Sequence, residues 1–249
     1  MIAGGAAAGL FGSLLGLGGG VLIVPLLTLV FGLDLREAVG VSLVSVIMTS
    51  SVAAGVYLER HVADLRLGMR LELFTAVGAL IGGSVAFLID ERFLALLFAA
   101  LLAYVAISML RSRASGGAGA VAESTSYEVR NMPLGVMGAT GAGVLSALLG
   151  VGGGIVKVPL MHLGMGVPLR VSTATSNLMV GITAAASAVI YVIHGEVDPY
   201  IAGPTAIGVF LGASAGSRIA HRVDLRVLRF LFVAVLLYTA VQMLLRVIG

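Results

Sequence analysis

The chain contains a single lysine, Lys157, which falls inside an apolar run three residues after a cluster of glycines. An ammonium at membrane depth is costly and is retained for function, as a direct anion contact or to compensate a charge. The cluster before it, Gly150-Val151-Gly152-Gly153-Gly154, has a twin at Gly16-Leu17-Gly18-Gly19-Gly20. Where such a cluster interrupts a helix, the restart near Val21 or Ile155 directs unpaired N–H groups and the positive dipole end at the break, which suits an anion. The missing side chains let a ligand approach the backbone. Gly18, Gly19, Gly20, Gly152, Gly153 and Gly154 are therefore candidate binding positions, together with Lys157. Hydroxyls and an amide at Ser42, Ser176 and Asn177 could complete an anion's hydration shell, or equally bond across helices. His162, five residues beyond Lys157, is a candidate for proton coupling because imidazole titrates near neutral pH.

Other polar residues have simpler readings. Arg36 and Arg170 suit interface anchors. Asp34 and Glu37 have the spacing of a capping box, and Asp90 and Asp224 suit helix N-caps. Gly78, Gly82, Gly212 and Gly216 have the spacing of close helix packing. No catalytic residue is expected. The sequence has no GK[ST] phosphate loop and no HExxH, and Gly16-Leu17-Gly18 lacks the third glycine of a dinucleotide loop. It has no cysteine, so thiolate chemistry and disulfides are excluded, and neither a metal nor a cofactor is expected.

The elements that must position these residues follow from composition. Of 249 residues, 59% are hydrophobic and 11% charged, against about 45–50% and about 25% in soluble domains. Most of the 35 glycines lie within apolar runs of about 18 residues or more, enough to cross about 30 Å of hydrocarbon. The expected fold is all-α: a polytopic, multi-pass protein of the cell (inner) membrane. A net charge of +3 scattered singly at the ends of the runs points to membrane orientation rather than nucleic acid. The segment from Met1 has no basic n-region and no polar stretch after it, so it is expected to belong to the fold.

The chain also repeats itself. When Gly16 is laid on Gly150, Val24-Pro25-Leu26 fall on Val158-Pro159-Leu160, and without a gap Arg36 meets Arg170, Ser42 meets Ser176, Tyr57 meets Tyr191 and Asp90 meets Asp224. Lys157 has Ile23 as its counterpart, and His162 has Thr28. The organisation is a first transmembrane repeat, 1–111, a cytoplasmic linker, 112–130, and a second repeat, 131–249. Each half begins with a glycine-broken stretch, about 2–31 and 133–166, and continues in uninterrupted runs at 38–58, 67–89 and 93–110 or 172–193, 199–220 and 227–247. The first broken stretch is too long for one upright span and too short for two full ones. A helical hairpin is the natural reading, either re-entrant or crossing twice. If it returns to the face it entered, each half crosses an odd number of times and the halves are inverted. Arg60, Arg66, Arg70, Arg111, Arg113, Arg130, Arg170, Arg218, Arg222, Arg226 and Arg229 then share the cytoplasmic side, leaving Arg36, Arg92 and Arg246 opposite. If the stretch crosses only once, the halves are parallel and the loop arginines split evenly between the two sides; the bias fits the positive-inside rule, and the even split does not.

The doubled pattern GLGGGVLIVPLL at 16–27 and GVGGGIVKVPLM at 150–161, each followed by a Ser/Thr-rich helix, resembles the sulfite exporter TauE/SafE family. The stretch from Tyr191 to Asp198, with Gly195 between, looks like that family's helix-end pattern, although the first half has His61 in place of Gly195. The resemblance covers nearly the whole chain. It implies an integral-membrane carrier of sulfur-containing anions such as sulfite, sulfonates or sulfoacetate. The expected function is a secondary carrier with its small anion held near the midplane between the glycine breaks; an anion channel is the alternative. The lipid bilayer is the other expected partner, and the sequence sets no oligomeric state.

Overall fold

The computed structural model describes residues 1–15, 19–59, 62–111, 127–219 and 225–248. They form ten helices: α1 (Ile2–Leu15), α2 (Gly20–Pro25), α3 (Leu35–Glu59), α4 (Leu65–Ala86), α5 (Glu91–Arg111), α6 (Met132–Leu149), α7 (Gly154–Pro159), α8 (Leu169–Ile193), α9 (Pro199–Ile219) and α10 (Leu225–Ile248). Every uninterrupted apolar run is a helix. Five stretches, Leu35–Gly55, Leu65–Ala86, Glu91–Leu110, Met132–Leu149 and Leu169–Ile193, are long and apolar enough to cross a membrane. The chain is an all-helical multi-pass membrane protein.

The helices stop where the sequence provides a stop. Asp64 caps α4, its carboxylate accepting from Leu67 N at 2.9 Å. Asp90 accepts from Arg92 N at 2.9 Å as α5 begins. Asp224 lies outside the described residues. The resemblance's helix-end pattern falls at the end of α8, where Gly195 has φ 77°.

Both glycine-broken stretches double back. In the second, Gly135 faces Met165, Gly138 faces Leu160 and Gly153 faces Ser146, so α6 and the limb after the break are antiparallel. Arg130 N donates to Met165 O at 3.0 Å and ties the two ends together. In the first, Gly4 faces Leu26. Between α6 and α7, Gly150, Gly152 and Gly153 have φ of 68°, 80° and 73°, a conformation that costs an ordinary L-residue about 1–2 kcal/mol. The prolines do not make the break. Pro25 and Pro159 lie within the returning limbs, which widen there into π-helical turns, Leu26–Val30 and Leu160–Gly164. Proline has no N–H to donate into the helix ladder, which accommodates the change of register. The returning limb Gly154–Gly164 reaches only about 16 Å, roughly half of the hydrocarbon thickness of about 30 Å.

The halves interlock rather than sit side by side. α1 packs against α9 and α6 against α4, so the hairpin of each half lies on the fourth helix of the other, while α3 packs on α8 and α5 on α10. Glycine permits the two hairpin contacts. A Cβ on Gly78 would strike the Thr140 carbonyl oxygen and one on Gly143 the Thr75 carbonyl oxygen; Gly212 and Ala6 stand in the same relation at the α1–α9 contact. Gly82 and Gly216 likewise lie against Val144 and Leu10, as their spacing suggested. α3 and α8 run antiparallel: Gly40 approaches the Glu196 carbonyl, and farther along α3 the Ser50 hydroxyl donates to Asn177 O at 2.5 Å.

Candidate functional site

The two breaks meet inside the molecule. A Cβ on Gly20 would lie 2.5 Å from the Gly150 carbonyl oxygen and 3.1 Å from Val151 Cα, so this approach is open to glycine alone. Ser42 holds the junction: its hydroxyl donates to Gly150 O at 2.8 Å and lies 3.4 Å from Gly20 O. Gly19, with φ 75°, faces Thr49. Gly18 lies outside the described residues.

Polar chemistry concentrates at the second break. Lys157, only 1% exposed, leaves α7 and turns its chain back along the break, so that its Cε lies 3.5 Å from the Cβ position of Gly153. Its Nζ donates to Glu72 Oε2 at 3.0 Å and to Thr183 Oγ1 at 2.5 Å. Thr183 in turn donates to Glu72 Oε1 at 2.6 Å. Three helices, α4, α7 and α8, are thereby joined by one closed ring of charge-assisted hydrogen bonds. Two of the three ammonium protons are used in it, and among the described residues no protein acceptor takes the third.

Two hydroxyls beside the second break are buried and have no hydrogen-bond partner: Ser146 Oγ on α6 and Ser176 Oγ on α8. Ser146 Cβ is 3.3 Å from the Cβ position of Gly153, and Ser176 Oγ is 3.6 Å from that of Gly154. Buried hydroxyls are nearly always satisfied, so two bare ones flanking one glycine break are informative. Gly152 is enclosed by Val46 and Val180. Gly153 and Lys157 therefore come together, joined by Ser146 and Glu72, while Ser176 stands against Gly154, about two turns of α8 from Thr183.

The remaining candidates stand farther off or are engaged. The Asn177 side-chain amide donates to Thr173 O at 3.0 Å. His162 Nδ1 lies 2.9 Å from Val167 O, toward the outer end of the hairpin. Arg36 donates to Ile89 O at 2.7 Å and lies over the Phe87 ring, 5.7 Å from its centroid. Arg170 is exposed. Outside the spans, Tyr127 donates to Asp64 Oδ2 at 2.6 Å and so fastens the end of the linker to the cap of α4. Burial, and then the Asp64 carboxylate beside it, push the Tyr127 hydroxyl above the ordinary tyrosine value.

Glu72 and Ser146 were not singled out from the sequence. For Glu72 a signal was present, a carboxylate within the apolar run 67–89, and it asks for a buried cation. Ser146 carries no such signal. The repeat exposes the asymmetry: Lys157, Glu72 and Ser146 have Ile23, Ala206 and Gly12 as counterparts, whereas Thr183 has Thr49 and Ser176 has Ser42. Only the second break is charged.

Comparison with known proteins points to membrane transporters. The model of the family described as "Sulfite exporter TauE/SafE" matches residues 1–243. A Bacillus subtilis protein named "Probable membrane transporter protein YunE" is 27% identical, with 95% of this chain and 93% of that protein covered. A "Probable membrane transporter protein" of Xylella fastidiosa is 31% identical over 84% of this chain and 79% of its own length. A further relative of similar name in Methanocaldococcus jannaschii is 28% identical over 92% and 88%. No solved structure matches the chain.

Proposed function

We propose, since the chain belongs to the sulfite exporter TauE/SafE family and is a membrane transporter, that it works as a secondary carrier of small sulfur-containing anions such as sulfite, sulfonates or sulfoacetate. The observation that carries this reading is the pair of unpartnered buried hydroxyls, Ser146 and Ser176, on either side of the Gly153–Gly154 break. They are donors without an acceptor, placed beside the only lysine of the chain. An oxyanion between them would receive both hydroxyls and the third ammonium proton of Lys157, and glycine would let it reach the backbone. Gly20 and Ser42 serve by closing the first break against the second, Gly19 by seating that break on Thr49 of α3, and Asn177 by fixing α8 to α3 through its backbone oxygen.

Inverted repeats, 1–111 and 131–249, are the arrangement we propose for the carrier. The antiparallel course of α3 and its counterpart α8 supports it, as do hairpins that return to the end they left. Arginine placement then puts the linker 112–130 in the cytoplasm. Alternating access follows from rocking of one interlocked half, or its hairpin, around the shared break.

The test is counterflow in proteoliposomes preloaded with unlabelled sulfite, methanesulfonate, isethionate, sulfoacetate or sulfate, followed with the labelled anion outside. Saturable exchange with a sulfur oxyanion supports a carrier. Conductance at channel rates in planar bilayers would replace the carrier by an anion channel, and no flux of any of these anions would remove the reading altogether.

A further inference from the structure

The ring of Glu72, Thr183 and Lys157 holds opposite charges in the interior of the spans, 1% and 5% exposed at their side chains. A static pin of that kind is a poor use of charge, because desolvation offsets the attraction and an apolar pair would hold the helices as well. The ring has one feature that a pin does not need. Its cation also faces the break where the two bare hydroxyls stand, so the same ammonium can serve Glu72 or a ligand.

We infer that Glu72 is the proton-carrying residue of an anion–proton symport, taking up one proton when the anion at the second break draws Lys157 away from it. This rests on the anion reading above. The charge balance is simple. Without a ligand, carboxylate and ammonium cancel. When a monovalent anion pairs with Lys157, Glu72 is left buried without a counter-charge, and a proton from solvent restores neutrality. Thr183 rotates its hydroxyl and accepts from the new carboxyl proton. The proton leaves hydronium or buffer in the solvent and forms an O–H bond on the Glu72 carboxyl; no electron moves, and the loaded site carries no net charge.

Among the described residues the surroundings of Glu72 offer no other group for this role; Asp64 caps α4 eight residues before it and is bonded to Tyr127. α6, packed on α4, has no titratable side chain. α8, also packed on α4, carries Arg170 near its start and Tyr191 near its end, about 20 Å and about 12 Å from Thr183 along the axis. Tyr191 donates to Ala147 O. α7 contributes Lys157 itself, and His162 lies beyond it in the following π turn, 2.9 Å from Val167 O. On α4, Arg66 and Arg70 are exposed near the linker end.

The experiment uses the full chain and the sulfonate with the strongest counterflow among methanesulfonate and isethionate, strong-acid anions that do not titrate near neutrality. Purified protein in weakly buffered detergent is mixed with that anion while a pH dye reports protons. The wild type is expected to take up about one proton per anion bound. In proteoliposomes with an acidic exterior it accumulates the anion about tenfold per pH unit at equilibrium. Glu72→Gln mimics the protonated residue: proton uptake falls to none, and accumulation falls to onefold. If that variant does not fold, the wild-type proton count decides alone. Anion binding with no proton uptake overturns the inference and leaves the carrier standing. A wild-type pH response that persists in Glu72→Gln moves the coupling to another residue, His162 first, and also overturns it. Absence of counterflow for every anion removes the carrier reading beneath both.

Discussion

Lys157→Met keeps the length of the side chain and removes the charge that faces Glu72. The carboxylate, 4% exposed, then keeps only the Thr183 hydroxyl. Such a group avoids ionisation by binding a proton on folding, and the cost grows by about 1.36 kcal/mol for each pH unit above the ordinary carboxyl value of about 4.3. That comes to about 3.7 kcal/mol at pH 7 and about 1.6 kcal/mol at pH 5.5. The first figure lies within the range of about 3–5 kcal/mol for removing one partner of a buried pair. At about 2–4 °C per kcal/mol for a chain of this size, Tm drops by about 7–15 °C at pH 7 but only by about 3–6 °C at pH 5.5. The sign follows from proton counts. In the variant the folded state binds the extra proton, so its stability falls as pH rises between these values.

The assay is the fraction of monodisperse protein surviving a heat step in detergent, read by size-exclusion chromatography at both pH values. Lys157→Met/Glu72→Gln has no carboxylate to neutralise and should lose the pH dependence while recovering most of the Tm. A Lys157→Met loss that is equal at pH 5.5 and pH 7 would refute the reasoning, because the lysine would then act through packing alone.

Gly78→Ala places a methyl against the Thr140 carbonyl at the α4–α6 contact and should cost about 1–3 kcal/mol. Gly55→Ala meets nothing within 4 Å and should gain about 0.5–1 kcal/mol as an exposed helical site; the same heat-step assay checks both. Ser146→Ala and Ser176→Ala remove hydroxyls with no protein partner, so Tm should hold or rise while the anion's Kd weakens by about fivefold for each hydrogen bond lost. An unchanged Kd in both would exclude these hydroxyls from the site. A cysteine at Leu88, which is 85% exposed in the turn between α4 and α5, should react with an impermeant maleimide in intact cells, and one in the 112–130 linker should react only after lysis.

The fold was legible because each half writes its elements in long apolar runs and marks its hairpin with a glycine cluster. The packing glycines were legible for the same reason, since small-residue spacing is local along a helix. The place of the break was legible too, in the glycines rather than in the proline. A proline at 159 is a stronger local signal than any single glycine, yet the limb runs through it, because a π-helical turn accommodates a missing N–H, whereas glycine adopts the left-handed backbone at 150, 152 and 153 without strain. Partnership was not legible at all. Lys157 and Glu72 stand 85 positions apart, and nothing in the spacing of either announces that α4 of one half lies against the hairpin of the other.

That interlock bears on why a duplicated fold carries charge at one break only. Symmetric charge would bury two ion pairs in the same low-dielectric region, each with a desolvation penalty. The first break instead has Ile23, fully buried, where the second has Lys157, and its counterpart to Glu72 is Ala206. It is left to close on the second through Gly20 and Ser42, contacts that need no charge. The doubled glycine cluster therefore serves two ends: in one half it permits a close approach of backbones, and in the other it lets a lysine side chain lie along the break. A swap tests this division. Ile23→Lys with Ala206→Glu should support a second ion pair if the halves are structurally equivalent at that depth, and Lys157→Ile with Glu72→Ala should abolish anion exchange in the otherwise native chain. Exchange restored by combining all four substitutions would show that either break can hold the anion; exchange still absent would tie binding to Ser146, whose counterpart is Gly12.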